Sequence, residues 1–307
     1  MLTRFRSEIA LLLGALTFGF NGVVAKLVLE SGLSAWRLTE VRCTGAFVAM
    51  LIYVLATTPQ ELKAKRSELP LLIGFGFFGI AAVQAFYFIS ISKLHVSIAL
   101  IIEFTSPIWV SLWLRFVRKK HVSPLMWWGL LVGIVGLVLL AQVWKGLTLN
   151  GIGMIFALLD AFALTSYFLL GEKLGKTRSS QVIMVWGLGV SALCFAIAFP
   201  WWKFPFAIMS KQIDLHGRLA GHHLPGWALI LWVVVMGTVV PYFCVLTGLR
   251  GLNASASSMI GMLEPIFAGI FAWWWLAESF NAIQLTGGAV VLVGIYLADR
   301  SRSATAG

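Results

Sequence analysis

Three carboxylic acids stand inside long apolar runs of this 307-residue sequence, where an ionised side chain is costly to insert. Asp160 and Glu264 lie roughly ten residues into their runs, which at ~1.5 Å per residue places them near the middle of a ~30 Å hydrocarbon layer. Glu103 lies nearer one end of its run. Each carboxylate is a candidate to bind a substrate ammonium group or to carry a coupling proton. The alternative is structural, since the carboxyl of Glu264 would satisfy backbone groups freed by the adjacent Pro265.

Aromatic and amide side chains in the same runs form a second set of candidates. An aromatic solute fits a pocket with aromatic walls and a few convergent polar groups. Asn21 has the strongest individual case, because an amide in hydrocarbon needs hydrogen-bond partners. The alternative for each ring is packing between helices or contact with lipid. The other candidates for a substrate path are Gln84, Phe86, Tyr87, Trp109, Tyr167, Trp186 and Tyr242, and the candidate kink points for gating are Pro107, Pro241 and Pro265.

The composition identifies the kind of element that must position these residues. Hydrophobic residues make up 60% of the chain and charged residues 11%, whereas a soluble domain has about 25% charged and about 45–50% apolar residues. The sequence therefore excludes a soluble enzyme and a disulfide scaffold and predicts an integral membrane protein. The formal charge of +11 is spread over short connections, which favours a role in membrane orientation over nucleic-acid binding. Cys43, Cys194 and Cys244 lie in apolar runs and are predicted to pack as small hydrophobic side chains.

Ten apolar stretches are long enough to cross a bilayer as helices. The gaps between them leave no room for an independent aqueous domain. The first stretch follows Arg4 and Arg6 as a signal peptide would, but nine more stretches come after it, so we interpret it as an uncleaved anchor. The predicted spans are residues 9–29, 39–57, 70–91, 96–116, 124–143, 149–170, 182–199, 227–249, 254–276 and 283–298.

The distribution of Lys and Arg predicts the orientation of these spans. Most of the 23 basic residues fall in connections on the same side as the two chain ends. Cytoplasmic connections of membrane proteins carry an excess of Lys and Arg. Both termini are therefore predicted to be cytoplasmic.

The connection formed by residues 200–225 is the longest between spans. It begins with Trp201, Trp202, Phe204 and Phe206, which are typical of the membrane interface and predict an interfacial helix. The alternative is a metal site built from His216, His222 and His223. The sequence favours the interfacial helix and predicts no metal, because no Cys or carboxylate joins these histidines at ligand spacing.

The chain carries an internal repeat at an offset of 158 residues. Residues 78–140 align with residues 236–298 without a gap, and matched glycines and prolines are the persuasive part because each requires a particular backbone role. Five spans per half is an odd number, so the second half must enter the membrane from the opposite side. The predicted halves are residues 1–146 and 147–300, followed by a short tail of residues 301–307. The matched pairs include Gly79 with Gly237, Pro107 with Pro265, Gly129 with Gly287, and Gly136 with Gly294.

Other motifs bear on partners and cofactors. Gly129 and Gly133 are spaced for close helix contact, either within one bundle or between two copies, so a monomer or a weak homodimer is predicted. The sequence carries no nucleotide-binding or hydrolase motif, and we predict no cofactor. An intramembrane lipid-modifying enzyme is an alternative from another class. His95 and His121 lie near span ends, but neither belongs to a catalytic grouping.

Several of these residues resemble the drug/metabolite transporter superfamily of EamA type. Glu264-Pro265, the acidic turn residue Glu278, and Gln284 followed by Gly287 are similar to the end of a repeat in that superfamily. The first half matches with Pro107, Gly129 and Gly136 but has Lys120 for the acidic residue and Met126 for the glutamine, and near the N-terminus Phe18 precedes Gly19 where the family often has Trp.

The resemblance implies an all-α integral membrane protein of ten transmembrane helices, arranged as two inverted five-helix repeats that work by alternating access. Spans 1, 3, 4, 6, 8 and 9 would line the path, with spans 5 and 10 at the periphery. Within the superfamily the chain is most similar to bacterial inner-membrane exporters of aromatic amino acids, by secondary-active or facilitative transport. The expected partners are a small-molecule substrate and membrane lipid. The alternative is an exporter of other amino acids or of cationic drugs.

Overall fold

The computed structural model describes residues 2–94, 96–142, 144 and 150–303, with side chains given for all of these except 2–4, 96–97 and 301–303. Several predicted features lie outside the described residues. They are His95, the predicted end of span 5 at Val143 and start of span 6 at Leu149, the boundary between the halves at residues 146 and 147, and the end of the tail at residues 304–307.

The described part of the chain contains ten helical spans that are long and apolar enough to cross a membrane, which confirms the predicted number. Span 1 lies within the helix Leu2–Glu30, and span 10 lies within the helix Ala282–Ser303. The ten spans, numbered in chain order, are Phe5–Glu30, Ala35–Thr57, Leu69–Ile91, Ile98–Val117, Pro124–Ala141, Gly151–Gly175, Ser180–Ala198, Gly226–Gly251, Ala254–Leu276 and Ala282–Arg300.

Polar caps fix where several spans begin. The side chain of Asn150 accepts a hydrogen bond from the Gly153 amide at the start of span 6, and Asn253 does the same for Ala256 at the start of span 9. Ser34 caps span 2 in the same way. A capping side chain satisfies one of the N–H groups that the first helical turn leaves without a partner.

Ten crossings bring both ends of the chain to one face of the bundle. We name this the terminal face. The opposite face carries the connection between spans 7 and 8, and we name it the hairpin face.

Spans 4 and 9 are each broken into two helical segments. In span 4 the segment Val96–Glu103 is separated by two residues from the next segment, Ser106–Leu112. In span 9 the segments are Ala254–Gly261 and Glu264–Leu276. The two-residue gaps fall at sequence positions that differ by the offset of the repeat.

Short π-helical segments lie in spans 3, 4 and 8. They span Phe75–Ala81, Trp113–Val117 and Val235–Val239, and each is continuous with α-helix on one or both sides. A π segment adds a residue to a turn and rotates everything beyond it about the helix axis. The face that a residue presents therefore changes across each of these segments.

Spans 5 and 10 pack closely against each other at the edge of the bundle. A methyl group added to Gly129 would lie 2.7 Å from the Gly294 carbonyl oxygen, and one added to Gly136 would lie 2.5 Å from the Val291 nitrogen. The backbone of Gly133 lies against Gly294, and Gly133 also packs against the Met262 side chain of span 9. The glycine stripe of span 5 therefore serves contacts within this chain.

The connection between spans 7 and 8 differs from the predicted interfacial helix, and that prediction was wrong. Pro205 lacks the N–H that a helix interior needs, and Gly217 and Gly221 adopt positive φ angles that end regular helix. The carboxylate of Asp214 accepts hydrogen bonds from the His216 and Gly221 amides and fixes the tight turn. The observed elements are 3-10 turns at Trp201–Lys203, Phe206–Met209 and Gly217–Leu219 and the antiparallel strands Gln212–Asp214 and His223–Pro225.

This hairpin region covers the ends of several spans. Its apolar side chains Phe204, Ile208 and Ile213 are buried in one cluster with residues of spans 1, 2 and 8. The indole of Trp275, near the end of span 9, donates a hydrogen bond of 2.9 Å to the Leu215 carbonyl. The hairpin face of the bundle is therefore filled with packed side chains.

Candidate functional site

The two broken spans place their glutamates close together. Glu103 is the last residue of its segment in span 4, and Glu264 is the first residue of the segment that follows the gap in span 9. The two side chains interact electrostatically. Both side chains are half-buried in the bundle.

Asp160 of span 6 adds a third carboxylate. Its residue is only 1% exposed, and its Oδ1 atom has no hydrogen-bond partner among the described residues. Asp160 interacts electrostatically with Glu103. A buried acceptor without a partner is costly, so this atom is suited to a water molecule or a ligand.

Tyr87 of span 3 lies near several charged groups. Its hydroxyl is within electrostatic reach of Glu103, Asp160 and Glu264, and also of Arg42. These four charged side chains come from four other spans. The sequence predicted Tyr87 and the three carboxylates as site residues, and the structure brings these four together.

Arg42 of span 2 is the residue that our list of candidates omitted. Its Nε donates to the Thr238 hydroxyl at 3.1 Å and its Nη2 donates to the Gly237 carbonyl at 3.3 Å. Neither bond uses the third guanidinium nitrogen, Nη1. The guanidinium also lies within electrostatic reach of Glu264. The signal was present in the sequence, because a cation inside an apolar run is as unusual as a carboxylate there.

Asn21 of span 1 lies beside the same part of span 8. A side chain on Gly237 would collide with the Asn21 amide, so the glycine makes room for it. Asn21 is buried, and its Oδ1 atom has no hydrogen-bond partner among the described residues. Asn21 and Arg42 therefore meet at one glycine on the wall of the site.

Gln84 and Tyr242 join spans 3 and 8 across the bundle. The Gln84 amide donates to the Tyr242 hydroxyl at 3.4 Å, and Tyr242 is within electrostatic reach of Arg42 and Glu264. The ring of Tyr167 lies 5.8 Å from that of Tyr242, with its hydroxyl buried and unpaired in the described part of the chain. These three side chains form a layer next to the charged groups.

Three aromatic candidates lie away from this cluster. The Trp109 indole donates to the Thr105 hydroxyl, and its ring contacts Phe162, which is 41% exposed on the outer surface of span 6. Phe86 packs against Phe156. The Trp186 indole donates to the Leu62 carbonyl at 3.3 Å, beside an outward groove between spans 2 and 7. The structure therefore does not gather an aromatic box from these residues.

The three predicted gating prolines all lie at interruptions. Pro107 and Pro265 are the second residues of the segments that follow the gaps in spans 4 and 9. Pro241 is the second residue of the segment that follows the π-helical part of span 8. Pro107 and Pro265 follow a gap, so the missing N–H removes no bond of a continuous helix there, whereas Pro241 lies inside a continuous span directly after its π-helical part. Their role in gating stays a prediction.

Ion pairs tie the spans together at the terminal face. Glu172, at the end of span 6, accepts a hydrogen bond of 2.9 Å from Arg118 and another of 3.0 Å from the Ala254 amide at the start of span 9. In the connections, the Arg178 guanidinium bonded to Glu68 holds the pKa of that carboxyl below its usual range. Spans 4, 6 and 9 are thus held by one carboxylate.

Ion pairs also occur at the hairpin face. Arg37 lies 2.7 Å from Glu40 and donates to the Phe199 and Pro200 carbonyls, and Lys26 lies 3.0 Å from Glu278. The backbone N–H groups that bond to Asp214 hold the pKa of that carboxyl below its usual range.

The central cluster suits a small organic ion that carries both charges. Its three carboxylates attract an ammonium group and its guanidinium attracts a carboxylate. No group of three or more His, Cys, Asp or Glu side chains within the described residues is arranged to hold a metal ion.

Comparison with known families gives two matches along the chain. The model of the EamA-like transporter family matches residues 5–142 and again residues 151–298. Between them the matches cover most of the sequence, and each covers one of the two predicted halves.

Individual relatives share between 22% and 26% of their aligned residues with this chain. The chain is 23% identical to an uncharacterised transporter of Archaeoglobus fulgidus, over 95% of this chain and 96% of the relative. It is 26% identical to the threonine/homoserine exporter RhtA of Escherichia coli, over 86% of this chain and 80% of the relative, and 22% identical to the uncharacterised inner membrane transporter YicL of Salmonella typhimurium, over 93% and 92%. A solved crystal structure with 16% identity has a similar fold, with a TM-score of 0.72 over 94% of this chain and 96% of that chain.

Proposed function

Because the chain belongs to the EamA-like transporter family, we propose that its central cluster carries amino acids out of the cell by alternating access. The chain is a multi-pass membrane transporter for a small molecule and not an enzyme. The observation that carries the proposal is that one guanidinium and three carboxylates lie within electrostatic reach of the Tyr87 hydroxyl. This arrangement complements the two opposite charges of an amino acid.

The proposed binding mode assigns one charge of the substrate to each side of the cluster. Glu103 and Glu264 bind the ammonium group, because charge-assisted hydrogen bonds to carboxylates are strong in a site shielded from water. Arg42 binds the carboxylate through Nη1, which its two bonds to span 8 leave available. Asp160, whose Oδ1 atom has no protein partner in the described chain, binds a water molecule or exchanges the coupling proton.

The side chain of the substrate is the finer part of the proposal. Tyr87 and Tyr242 supply two aromatic rings within reach of the charged groups, and they support an aromatic amino acid. Similarity to a threonine/homoserine exporter supports a small polar amino acid as the second candidate. A cationic drug is a poorer fit, because it has no carboxylate to pair with the guanidinium of Arg42.

We propose that the two halves, residues 1–146 and 147–300, are inverted repeats. Several observations support this. The family matches twice, spans 4 and 9 have gaps at positions 158 residues apart, and π-helical segments occur at corresponding places in spans 3 and 8. Contacts between spans 5 and 10 are also reciprocal, since Gly129 meets Gly294 while Gly136 meets Gly287. Such reciprocity is typical of two equivalent elements related by a two-fold axis.

Inverted repeats provide a route for the movement. Two halves that exchange conformations would open the central site first to one face and then to the other. The gaps in spans 4 and 9, each followed by a proline, are where we place the bending. The excess of Lys and Arg on the terminal face supports a cytoplasmic location for both chain ends in the bacterial inner membrane. We expect the unit that transports to be a monomer or a weak homodimer.

Counterflow in liposomes tests the proposal. The purified full chain is reconstituted into vesicles preloaded with unlabelled amino acid, and uptake of labelled phenylalanine, tryptophan and threonine is measured at equal pH on both sides. Accumulation of the aromatic labels alone supports the aromatic substrate. Accumulation of threonine alone supports the second candidate. If none of the labels accumulates although the thermal unfolding profile shows that the protein is folded, amino-acid transport is contradicted.

A further inference from the structure

A groove at the terminal face lies between the ends of spans 4 and 5. It has a volume of about 480 Å³ and opens toward the outer surface of the bundle. We propose that this groove binds an anionic phospholipid, with an acyl chain along its apolar wall and the phosphate at its basic rim. The apolar wall consists of Leu112, Phe116, Val122, Pro124, Trp127 and Trp128.

The apolar wall is unusually open. Phe116 is 71% exposed and Trp128 is 62% exposed in the isolated chain, so large rings stand without a protein neighbour on their outer side. Tryptophan prefers the depth at which the acyl chains meet the headgroups, because its indole has an apolar body and one N–H donor. The groove therefore lies at the depth where a phospholipid presents both of its parts.

The rim of the groove is basic. Arg115 and His121 are its polar lining residues, Lys119 and Lys120 lie beside them in sequence, and no acidic residue lines the groove. Arg115 is exposed and belongs to none of the ion pairs between described residues, whereas the nearby Arg118 is bonded to Glu172. The charge of Arg115 is thus available to a phosphate. Basic pockets between membrane helices bind anionic headgroups in this way.

The apolar wall argues for a lipid over free phosphate. Inorganic phosphate would use only the basic rim and would leave six apolar residues without a role. A zwitterionic lipid would use the wall but would gain little from the rim. An anionic phospholipid uses both.

The corresponding corner between spans 9 and 10 has different chemistry. Shifting the groove residues by the repeat offset places Trp273 at Arg115 and Glu278 at Lys120, so the aligned positions carry an acid and no cation, and the Arg218 guanidinium from the hairpin lies over the Trp273 ring. Glu278 is paired with Lys26. The charge pattern needed for an anionic headgroup therefore occurs in only one of the two related corners.

The test measures lipid binding directly. The full chain in detergent is titrated with phosphatidylglycerol or phosphatidylcholine, and bound lipid is counted by native mass spectrometry. Arg115→Gln removes the phosphate contact, and Trp128→Ala removes part of the wall. Lys63→Gln, which also removes one exposed cation from a terminal-face connection, and Trp202→Ala, which removes an exposed indole from the hairpin face, are the matched controls.

We expect the chain to prefer phosphatidylglycerol. Arg115→Gln should weaken that binding about fivefold, since one basic residue near a lipid surface contributes about 1 kcal/mol. Trp128→Ala should weaken both lipids, while both controls keep the binding of the original chain. Inorganic phosphate at millimolar concentration should not displace the lipid.

Three results would overturn the proposal. Equal loss in Arg115→Gln and Lys63→Gln would mean that the surface charge as a whole attracts the lipid. Equal affinity for the two lipids would mean that the rim plays no part. Displacement by inorganic phosphate would mean that the site is an anion site and not a lipid groove. All four variants change exposed side chains, and a thermal unfolding profile of each checks that it folds.

Discussion

Spans 4 and 9 are interrupted at equivalent places, but they carry their acidic residues on opposite sides of the interruption. Glu103 ends the segment before the gap in span 4, where the equivalent residue of span 9 is Gly261. Glu264 begins the segment after the gap in span 9, where the equivalent residue of span 4 is Ser106. The two spans therefore share the same break in the helix but carry their charges at different positions.

The difference shows which features depend on backbone geometry and which depend on side-chain chemistry. A gap followed by proline occurs in both spans, as expected if both must bend. The two carboxylates interact electrostatically although they stand on opposite sides of the gaps, and that placement needs no symmetry. A site for an asymmetric molecule such as an amino acid requires such a difference between otherwise related halves.

The largest expected effect comes from removing the carboxylate of span 9. We expect Glu264→Gln to reduce counterflow about ten- to hundredfold, because a hydrogen bond to a charged group contributes about 1.5–3 kcal/mol. Glu278→Gln is the matched control, since it removes an exposed carboxylate near the end of the same span. Counterflow of both variants is measured in liposomes at equal protein density. A Glu264→Gln variant that keeps more than half of the rate would remove Glu264 from the site.

The second effect concerns spans 5 and 10. Their glycine contacts are reciprocal, whereas spans 4 and 9 carry their acidic residues at different positions. We expect Gly136→Leu to lower the free energy of unfolding by about 1–3 kcal/mol, since added carbon atoms would meet the backbone of span 10. Gly288→Leu is the control, because no atom lies within 4 Å of a side chain added there. Thermal unfolding in detergent measures both. Equal unfolding temperatures would show that spans 5 and 10 separate at little cost.

The third effect compares the two prolines directly. We expect Pro265→Ala to reduce counterflow about two- to fivefold and Pro107→Ala to reduce it less, because Pro265 also fixes the backbone that holds Glu264. The comparison is sharpened by measuring the KM for the substrate in each variant. If the two variants lose the same activity, the prolines act only as bends and the position of Glu264 does not depend on Pro265.

The smallest effect concerns the hairpin, which contacts the end of span 9 through Trp275. The pKa of Asp214 is lowered by hydrogen bonds from the His216 and Gly221 amides. This bonding therefore stabilises the hairpin above the unfolded pKa of about 3.9 and is lost as the pH falls through the lower folded value. We expect lower protection factors at these two amides in acid, where the protection factor is the intrinsic exchange rate at that pH divided by the observed rate. Asp214→Asn should show the loss of protection already at neutral pH, and unchanged protection in that variant would contradict the assignment.

The sequence was sufficient to predict the ten spans and the residues that pay the highest insertion cost. Length and hydropathy are local properties, so spans are legible without knowledge of their neighbours. The three carboxylates were found because an ionisable group in an apolar run is conspicuous wherever it points. The same argument applies to Arg42, which also lies in an apolar run. Arg42 was not among the candidates because it lies near the end of a predicted span.

Side-chain direction was the part that the sequence could not give. The gap before Ser106 and the π-helical segments change the rotation of a helix, so residues beyond them no longer follow a regular period. Trp109 accordingly meets Phe162 on the outside, and Trp186 turns to the Leu62 carbonyl. The hairpin was missed for another reason, because its aromatic residues suggested a helix while its prolines and glycines determine the backbone.

The bond between Gln84 and Tyr242 joins two positions that are 158 residues apart, so each is the counterpart of the other in the proposed repeat. Two counterparts can touch only where the axis that relates them passes. A point on an axis of rotation does not travel when the halves exchange places. In the proposed exchange of the two halves this contact would lie at the pivot, so we expect Gln84 and Tyr242 to stay in contact while contacts at the two faces change.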